Sequence, residues 1–115
     1  MEDCIFCKIA SGKIPSEIVY QDDEVVAFRD IHPLTPVHIL IIPKKHIPSV
    51  ASITEAESPL IGHMVIVGNQ LAKKEGVFDR GYRLVINAGE YGGQIIQHLH
   101  MHLLGGRRLG GKLGN

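Results

Sequence analysis

Residues 98–104 read HLHMHLL, and this stretch places a histidine at every second position. In a β-strand, successive side chains point to opposite faces, so His98, His100 and His102 would share one face of a sheet. Leu99, Met101 and Leu103 would occupy the opposite, apolar face. A neutral imidazole can act as a nucleophile, a proton carrier or a metal ligand near pH 7. The stretch therefore predicts a strand with one core face and one face that carries chemistry.

The rest of the chain predicts a sheet and one long helix. Runs rich in β-branched and aromatic residues predict five strands, at 17–22, 24–30, 37–43, 82–88 and 97–104. Acidic turn residues between the first two runs predict a hairpin. The third run is apolar enough to be central and ends at Pro43, because proline has no N–H to donate to a neighbouring strand. Apolar residues recur at helical spacing between Pro59 and Glu75, and Gly76 is placed to end that helix.

Two starts are open for the long helix. Thr54 and Glu57 match a capping box, but Pro59 would then lie one turn inside the helix. Ser58 as the N-cap, with Pro59 at the first helical position, fits the pattern equally well.

The order of these elements indicates the fold class. Strands precede and follow a single long helix, which favours an α+β meander of mostly antiparallel strands, with helices on one side, over βαβ units. A length of 115 residues fits one domain, residues 1–115, with a glycine-rich tail at 105–115.

Charge and hydropathy exclude several function classes. Twelve Lys and Arg residues balance twelve Asp and Glu residues, so neither a nucleic-acid duplex nor an anionic membrane is expected as the main partner. A small anionic ligand is still compatible with this balance. The N-terminus lacks a basic, then apolar, leader pattern, and no run approaches the roughly 18 apolar residues of a membrane span. We expect a soluble, cytoplasmic protein.

The two cysteines, Cys4 and Cys7, have C-x-x-C spacing. This spacing suits a metal-ligand pair or a redox pair better than a disulfide framework. A thioredoxin-like pair would be expected at a strand end within a βαβ unit, so a zinc pair is favoured. Packing of both cysteines as small hydrophobes beside Ile5, Phe6 and Ile9 is the alternative.

Together with three other segments, the histidine stretch resembles the Hint branch of the histidine triad (HIT) family. The matching segments are DCIFCKIASGKIP (3–15), FRDIHPLTPVHILIIPKKHI (28–47), RLVINAGEYGGQ (83–94) and HLHMHLLGGR (98–107). The resemblance implies five antiparallel strands with one long and one short helix. It also implies a homodimer in which two subunits form a continuous ten-stranded sheet, with an edge such as RLVIN buried against the partner.

The resemblance assigns the catalytic residues. Neutral imidazole attacks phosphorus well, and the resulting phosphorus–nitrogen bond is labile to water. His100 would be the nucleophile, with His102 and His38 donating hydrogen bonds to phosphate oxygens and to the departing group. A three-histidine metal site and a purely structural triplet are the alternatives, and the flanking matches argue against both.

Nucleotide-binding residues follow from the same comparison. Asp30 would bind the ribose hydroxyls, although it could instead form the turn before His32 and Pro33. An apolar base pocket would be lined by Ile5, Phe6, Ile9, Ile14 and Ile31. The phosphate side would be formed by Asn87, Gly89, Gly92, Gly93, Gln94 and Ile95. Many members of the branch have serine or threonine at the last of these positions, so slower turnover or a different leaving group is expected here. The glycine-rich tail also lacks a bulky aromatic residue.

The resemblance further implies a structural zinc ion held by Cys4, Cys7, His46 and His98. The function it implies is hydrolysis of the P–N bond of purine nucleoside 5′-phosphoramidates through a nucleotidyl-His100 intermediate. Two alternatives are a nucleotide-binding regulatory module with incidental hydrolysis, which Ile95 favours, and a dinucleoside polyphosphate hydrolase.

Overall fold

The computed structural model describes residues 3–112. Five strands form one antiparallel sheet in the order β1-β2-β3-β5-β4. The strands are β1 (Ile18–Gln21), β2 (Val25–Arg29), β3 (Val37–Pro43), β4 (Arg83–Ile86) and β5 (Met101–Gly105). The helices are α1 (Ile5–Ala10) and α2 (Ser58–Lys74), and two 3₁₀ turns, Val50–Ser52 and Glu55–Glu57, precede α2. The predicted α+β class, with one long and one short helix, is confirmed.

The predicted hairpin joins β1 to β2 and is organised by Asp22. Its Oδ1 accepts hydrogen bonds from the backbone N–H groups of Glu24 (2.8 Å) and Val25 (2.9 Å). Its own N–H donates to the Val25 carbonyl. Aspartate forms such local bonds readily, which is why it favours turns over strand interiors.

Helix α2 begins differently from both predictions. The capping box of Thr54 and Glu57 exists, but it caps the 3₁₀ turn before the helix. Ser58 is the first helical residue rather than the N-cap, and Glu57 precedes it without a side-chain capping bond. The 3₁₀ turn leads directly into α2. The unpaired backbone N–H groups that a capping side chain would bond therefore lie in that turn, before Ser58. The predicted end is confirmed, since Gly76 has φ of 76° just after the helix.

The sheet is covered on both faces, so the expectation of helices on one side is wrong. One face packs against α2 through a core that contains Ile39, Ile41, Met101 and Leu103. On the other face, alternate residues of β2 and β3 pack against Phe6 and Ile9 of α1; they are Val26, Phe28, Leu40 and Ile42. The central strands are apolar on both faces, which requires a cover on each.

Strand β5 begins at Met101, not at residue 97 as predicted. Ile41 of β3 pairs with Met101, so continued pairing would place Pro43 opposite Leu99. Because proline has no N–H, the ladder ends there. Leu99 instead donates its N–H to the Ile47 carbonyl at 2.6 Å. The predicted division of faces still holds, since Leu99 joins the core on the α2 face.

Within residues 3–112, β4 pairs with β5 alone, which makes β4 a sheet edge. The segment after β5 returns toward this edge, where Arg83 Nη2 donates to the Gly110 carbonyl at 2.7 Å. No helix in the same range is long and apolar enough to cross a membrane.

Candidate active site and metal centre

Three histidines meet on the α1 face where β3 and β5 run side by side. His38 lies on β3 and His102 on β5, and His38 Nε2 is 2.9 Å from His102 Nδ1. The His100 ring lies just before β5, with its centroid 5.1 Å from that of His102. The rings of Phe6 in α1 and His100 pack in a T-shaped arrangement, with 5.1 Å between their centroids. Neighbouring strands therefore bring all three predicted catalytic residues together.

The backbone fixes the tautomer of His100. Its Nδ1 lies 2.7 Å from the His98 carbonyl oxygen, and the residue is 8% exposed. A carbonyl oxygen only accepts hydrogen bonds, so Nδ1 carries the proton. In the neutral ring, Nε2 then holds the free lone pair. His100 is thus prepared to act as a nucleophile through Nε2.

A directional hydrogen-bond chain fixes His38 and His102. The Leu34 N–H donates to His38 Nδ1 at 3.1 Å, so a neutral His38 carries its proton on Nε2. This Nε2–H donates a hydrogen bond to His102 Nδ1. His102 consequently carries its own proton on Nε2, the nitrogen that remains to donate to a ligand.

Electrostatics favour the neutral rings that this chain requires. Burial lowers the pKa of His38, against the opposing effect of the Asp30 carboxylate. Burial, together with the nearby His100 and His38, lowers the pKa of His102 to about 4, against the opposing effect of the Asp30 carboxylate. Desolvation disfavours the charged imidazolium, so both rings are neutral at pH 7.

Asp30 forms the turn that the sequence suggested, and its carboxylate also borders the histidines. Its Oδ1 accepts the His32 N–H at 2.8 Å, which is the turn-forming role. Its Oδ2 lies 3.5 Å from His38 Nε2, so the carboxylate also borders the histidines.

Ligand atoms of Asp30, His38 and His102 lie within 4.8 Å of one another. Their hydrogen bonds argue against a metal site, because the lone pair of His38 is on Nδ1 and accepts the Leu34 N–H. A cation at this position would have to displace the Nε2 proton of His38, which forms the hydrogen bond to His102.

The glycine-rich loop GEYGG (89–93) is held in place by the amide side chains of Asn87 and Gln94, which flank it. Gln94 is 6% exposed; its Oε1 accepts the Gly89 N–H at 3.0 Å, and its Nε2 donates to the Pro48 carbonyl at 2.7 Å. Asn87 Nδ2 donates to the Gly92 carbonyl at 2.8 Å. These two amides are therefore engaged in positioning the loop.

The remaining predicted binding positions differ in exposure. Phe6 and Ile9 are buried in the core beneath α1, and Ile14 packs against the same cluster. Ile31 is 83% exposed and Ile95 is 86% exposed. Ile5 is also exposed, and Gly93, the last residue of the glycine-rich loop, has φ of 83°.

A second cluster brings together Cys4, Cys7, His46 and His98, whose ligand atoms all lie within 4.8 Å of one another. His98 Nδ1 is 3.2 Å from Cys4 Sγ, and His46 Nδ1 is 3.3 Å from Cys7 Sγ. Two sulfurs and two ring nitrogens match the closed tetrahedral donor sets of structural metal sites. The residues fit a metal ion.

A hydrogen bond outside the Cys4, Cys7, His46 and His98 cluster orients the His98 ring toward a metal ion. Its Nε2 lies 2.8 Å from the Pro43 carbonyl, so Nε2 carries the proton and the Nδ1 lone pair faces the sulfurs. Burial lowers the pKa of His98, which favours the neutral ring. Burial raises the pKa of the Cys7 thiol, and the adjacent Cys4 adds to that effect. A bound cation would offset this cost by stabilising the thiolate.

The sequence did not indicate the backbone groups that set these tautomers. They are the carbonyls of His98 and Pro43 and the amide of Leu34. Every residue has these groups, so no residue type signals their role. Only the folded positions reveal it.

Comparison with known proteins agrees with this geometry. A family profile described as "Scavenger mRNA decapping enzyme C-term binding" matches residues 3–113. A solved structure of a histidine triad protein from Clostridium difficile has a TM-score of 0.95 at 46% identity and covers 97% of each chain. The chain belongs to the histidine triad family. A HIT family hydrolase from Legionella pneumophila Philadelphia 1 superimposes with a TM-score of 0.93 at 47% identity, covering 95% of this chain and 97% of that one.

One relative is similar over nearly the whole length of the chain. The purine nucleoside phosphoramidase of Escherichia coli (strain K12) is 50% identical over 114 residues, which span 99% of this chain and 96% of that protein. Together with the HIT hydrolase structures, this relative makes the protein an enzyme of the HIT hydrolase type.

Proposed function

We propose that this HIT enzyme cleaves the P–N bond of purine nucleoside 5′-phosphoramidates of the AMP-amine type. The observation that carries the proposal is the hydrogen bond from His100 Nδ1 to the His98 carbonyl, which leaves Nε2 free to attack phosphorus. The name of the Escherichia coli relative supports the substrate class.

The reaction has two balanced displacements. In the first, the His100 Nε2 lone pair forms a bond to phosphorus, the bond to the amine nitrogen breaks, and the departing amine takes up a proton from solvent. In the second, water attacks phosphorus and releases a proton to solvent, the electron pair of the Nε2–P bond returns to the His100 ring, and AMP is released. His102 donates its Nε2–H to the substrate, while His38 acts through His102 by supplying the hydrogen bond that fixes its tautomer.

Nucleotide binding surrounds these histidines. We assign the ribose hydroxyls to Asp30, whose Oδ2 lies beside His38. We assign the purine base to an apolar wall near Ile31, with Phe6 and Ile9 supporting it from the core. The phosphate side is the loop around Gly93, followed by Gln94 and Ile95, with Asn87 and Gln94 bracing the loop backbone.

We further propose that the metal is zinc and that its role is structural. Zinc bound by Cys4, Cys7, His46 and His98 would tie the N-terminal segment to the sheet. The free thiols of both cysteines are compatible with a reducing compartment, so we expect a cytoplasmic location.

We propose that the whole chain forms one HIT domain and that two copies pair through β4. In the described residues β4 is a free edge, and pairing it with a two-fold mate would produce the expected ten-stranded sheet. Sedimentation at micromolar concentration is the test. A homodimer is expected, and a purely monomeric species would contradict the pairing.

Hydrolysis of adenosine 5′-phosphoramidate tests the main proposal. The His100→Ala variant should lose activity while its affinity for AMP stays within about tenfold, because binding is spread over ribose and base contacts. Rapid denaturation of the wild type without acid should trap a covalent adenylate. His63→Gln is a matched control, since His63 bonds to Asp22 and lies on α2, away from the triad.

The alternatives predict different outcomes. A regulatory module would bind AMP but turn over the phosphoramidate at a negligible rate, and the exposed Ile95 is the feature that favours it. A dinucleoside polyphosphate hydrolase would prefer diadenosine polyphosphates over the phosphoramidate. Full activity in His100→Ala would contradict the assigned nucleophile.

A further inference from the structure

The loop between β2 and β3 buries its residues in the reverse of the usual order. Residues 31–36 read IHPLTP. Ile31 is 83% exposed and Leu34 is 69% exposed, whereas Thr35 is 5% exposed. The remaining residues of this segment are exposed as well. Leucine and isoleucine are buried more often than threonine, so hydrophobic packing does not explain why the threonine lies inside.

Side chains supply the hydrogen bonds that hold this loop. Within the described residues, no backbone–backbone hydrogen bond involves an amide or carbonyl of residues 31–36. The two prolines of the segment have no N–H to donate. The Leu34 N–H donates instead to the His38 ring at 3.1 Å. The Thr35 hydroxyl donates to the Val37 carbonyl at 2.5 Å. The conformation of the loop therefore depends on a few side-chain contacts.

The Thr35 bond lies inside the contact that sets the tautomer of His38. The bond from Leu34 to His38 closes a ring that spans residues 34–38, and Thr35 lies within it. The Val37 carbonyl belongs to the same planar peptide unit as the His38 N–H, so the hydroxyl fixes the orientation of the peptide that carries His38. His38 is 4% exposed. Water therefore has little access to replace either bond.

We propose that Thr35 is a positioning residue for the hydrogen-bond chain that fixes His38 and His102. This inference rests on the proposed function, in which the chain leaves a proton on His102 Nε2 for donation to the substrate. The threonine acts through the loop backbone and His38 rather than on the substrate.

Loss of the hydroxyl should reverse this hydrogen-bond chain. The Leu34 N–H excludes a proton from His38 Nδ1 only while the loop holds that N–H against the ring. Once the loop relaxes, His38 can carry its proton on Nδ1, and its Nε2 then becomes an acceptor. His102 Nδ1, which lies 2.9 Å from that nitrogen, must then be the donor. The Nε2 of His102 is left without a proton, so this ring can no longer donate to the substrate.

Imidazole nitrogen shifts in NMR spectra of the ligand-free protein test the proposal directly. In the wild type, His38 and His102 should each carry the proton on Nε2. Thr35→Val replaces the hydroxyl by a methyl group of similar size and should move the proton toward Nδ1 in both rings. Thr35→Ala, which also lacks the hydroxyl, should give the same result, whereas Thr35→Ser keeps it and should restore the wild-type tautomers. Wild-type tautomers in both Thr35→Val and Thr35→Ala would overturn the proposal.

Hydrolysis of adenosine 5′-phosphoramidate measures the consequence for the reaction. In Thr35→Val, kcat should fall at least about tenfold, because one hydrogen bond to the transition state is lost. KM should change less than about threefold, since the ribose and base contacts are unaltered, and Thr35→Ser should restore kcat. Reversed tautomers with an unchanged kcat would refute a role of Thr35 in the reaction. A wild type that does not hydrolyse the phosphoramidate would refute the proposed function instead, and the tautomers would still decide whether Thr35 positions the rings.

Thr54→Val is the matched control, because Thr54 is the other threonine of the chain. Its hydroxyl accepts the Ala56 N–H at 3.3 Å in the 3₁₀ turn that precedes α2. This variant should lower the melting temperature by a few degrees, since a capping bond is lost, but leave the histidine tautomers and kcat unchanged. The same pattern in Thr35→Val, a lower melting temperature with wild-type tautomers and kcat, would reduce Thr35 to a structural role and refute the proposal.

Discussion

Acid should destabilise the fold through His102. Burial lowers the pKa of this ring from 6.5 to about 4, with His100 and His38 adding to the effect. Between these two pH values the unfolded chain binds a proton on His102 that the folded chain does not. Because the unfolded state then binds more protons, the free energy of unfolding falls as the pH falls through this window. The contribution is fully present above pH 6.5 and is lost as the pH approaches 4.

The size of this effect follows from the pKa. One pKa unit corresponds to about 1.4 kcal/mol, so the difference between 6.5 and about 4 amounts to at most about 3.5 kcal/mol. The ring is only partly buried, and solvent screening reduces this to about 2 kcal/mol. Domains of this size have a total stability of about 5 to 15 kcal/mol, so the loss is measurable.

Urea unfolding of the wild type and His102→Gln, each at about pH 7.5 and 4.5, isolates the contribution. The glutamine oxygen can still accept the His38 Nε2–H, but the side chain does not titrate. The variant should lose about 2 kcal/mol less than the wild type on acidification. Protonation of the metal-ligand residues affects both proteins and cancels in the comparison.

Two results would refute this account of His102. One is an NMR titration of the His102 ring with a midpoint near 6.5, its ordinary value. The other is the same pH dependence of stability in His102→Gln as in the wild type. Nitrogen shifts should also show a proton on Nε2 and none on Nδ1 at neutral pH.

Three further perturbations test separate parts of the site. Asp30→Ala should weaken AMP binding more than it slows the chemical step, and equal AMP affinity in calorimetry would remove Asp30 from the ribose site. Cys7→Ser should abolish stoichiometric zinc in metal analysis and lower the melting temperature by several degrees, with a smaller effect on the intrinsic rate. Gly92→Ala should lower the hydrolysis rate at least about tenfold, because its Cβ would lie 2.2 Å from the Ala88 carbonyl oxygen. Gly62→Ala, where the Cβ meets nothing within 4 Å, is the matched control and should be fully active.

The sequence periodicity predicted which face of the sheet each side chain lies on better than it predicted where each strand begins. The alternation in residues 98–104 correctly predicted one core face and one histidine face, because an extended backbone reverses the side-chain direction at each residue. The start of β5 depends on register, since the ladder stops where Pro43 would face Leu99. Register is a property of two paired segments, so neither segment alone reveals it.

The position of α1 on the sheet also could not be predicted from local sequence patterns. Its six residues are too few to show a clear apolar stripe. Its side of the sheet is decided by Phe6 and Ile9 meeting Phe28 and Leu40, which are distant in sequence. The helix start at Ser58 was missed because the Thr54 and Glu57 box had a closer 3₁₀ turn to cap.

The alternating spacing of the histidines has a physical explanation in the backbone. His98 turns its ring toward the cysteine sulfurs, while its carbonyl accepts the Nδ1 proton of His100 two residues later. Nδ1 of His102, a further two residues on, accepts a hydrogen bond from His38 Nε2 on the adjacent strand. Each ring is thus oriented by a different partner: the Pro43 carbonyl, the peptide of the preceding histidine, or a neighbouring strand. A shift of one residue would move a ring to the core face and leave its partner unpaired, so these contacts require i, i+2, i+4 spacing.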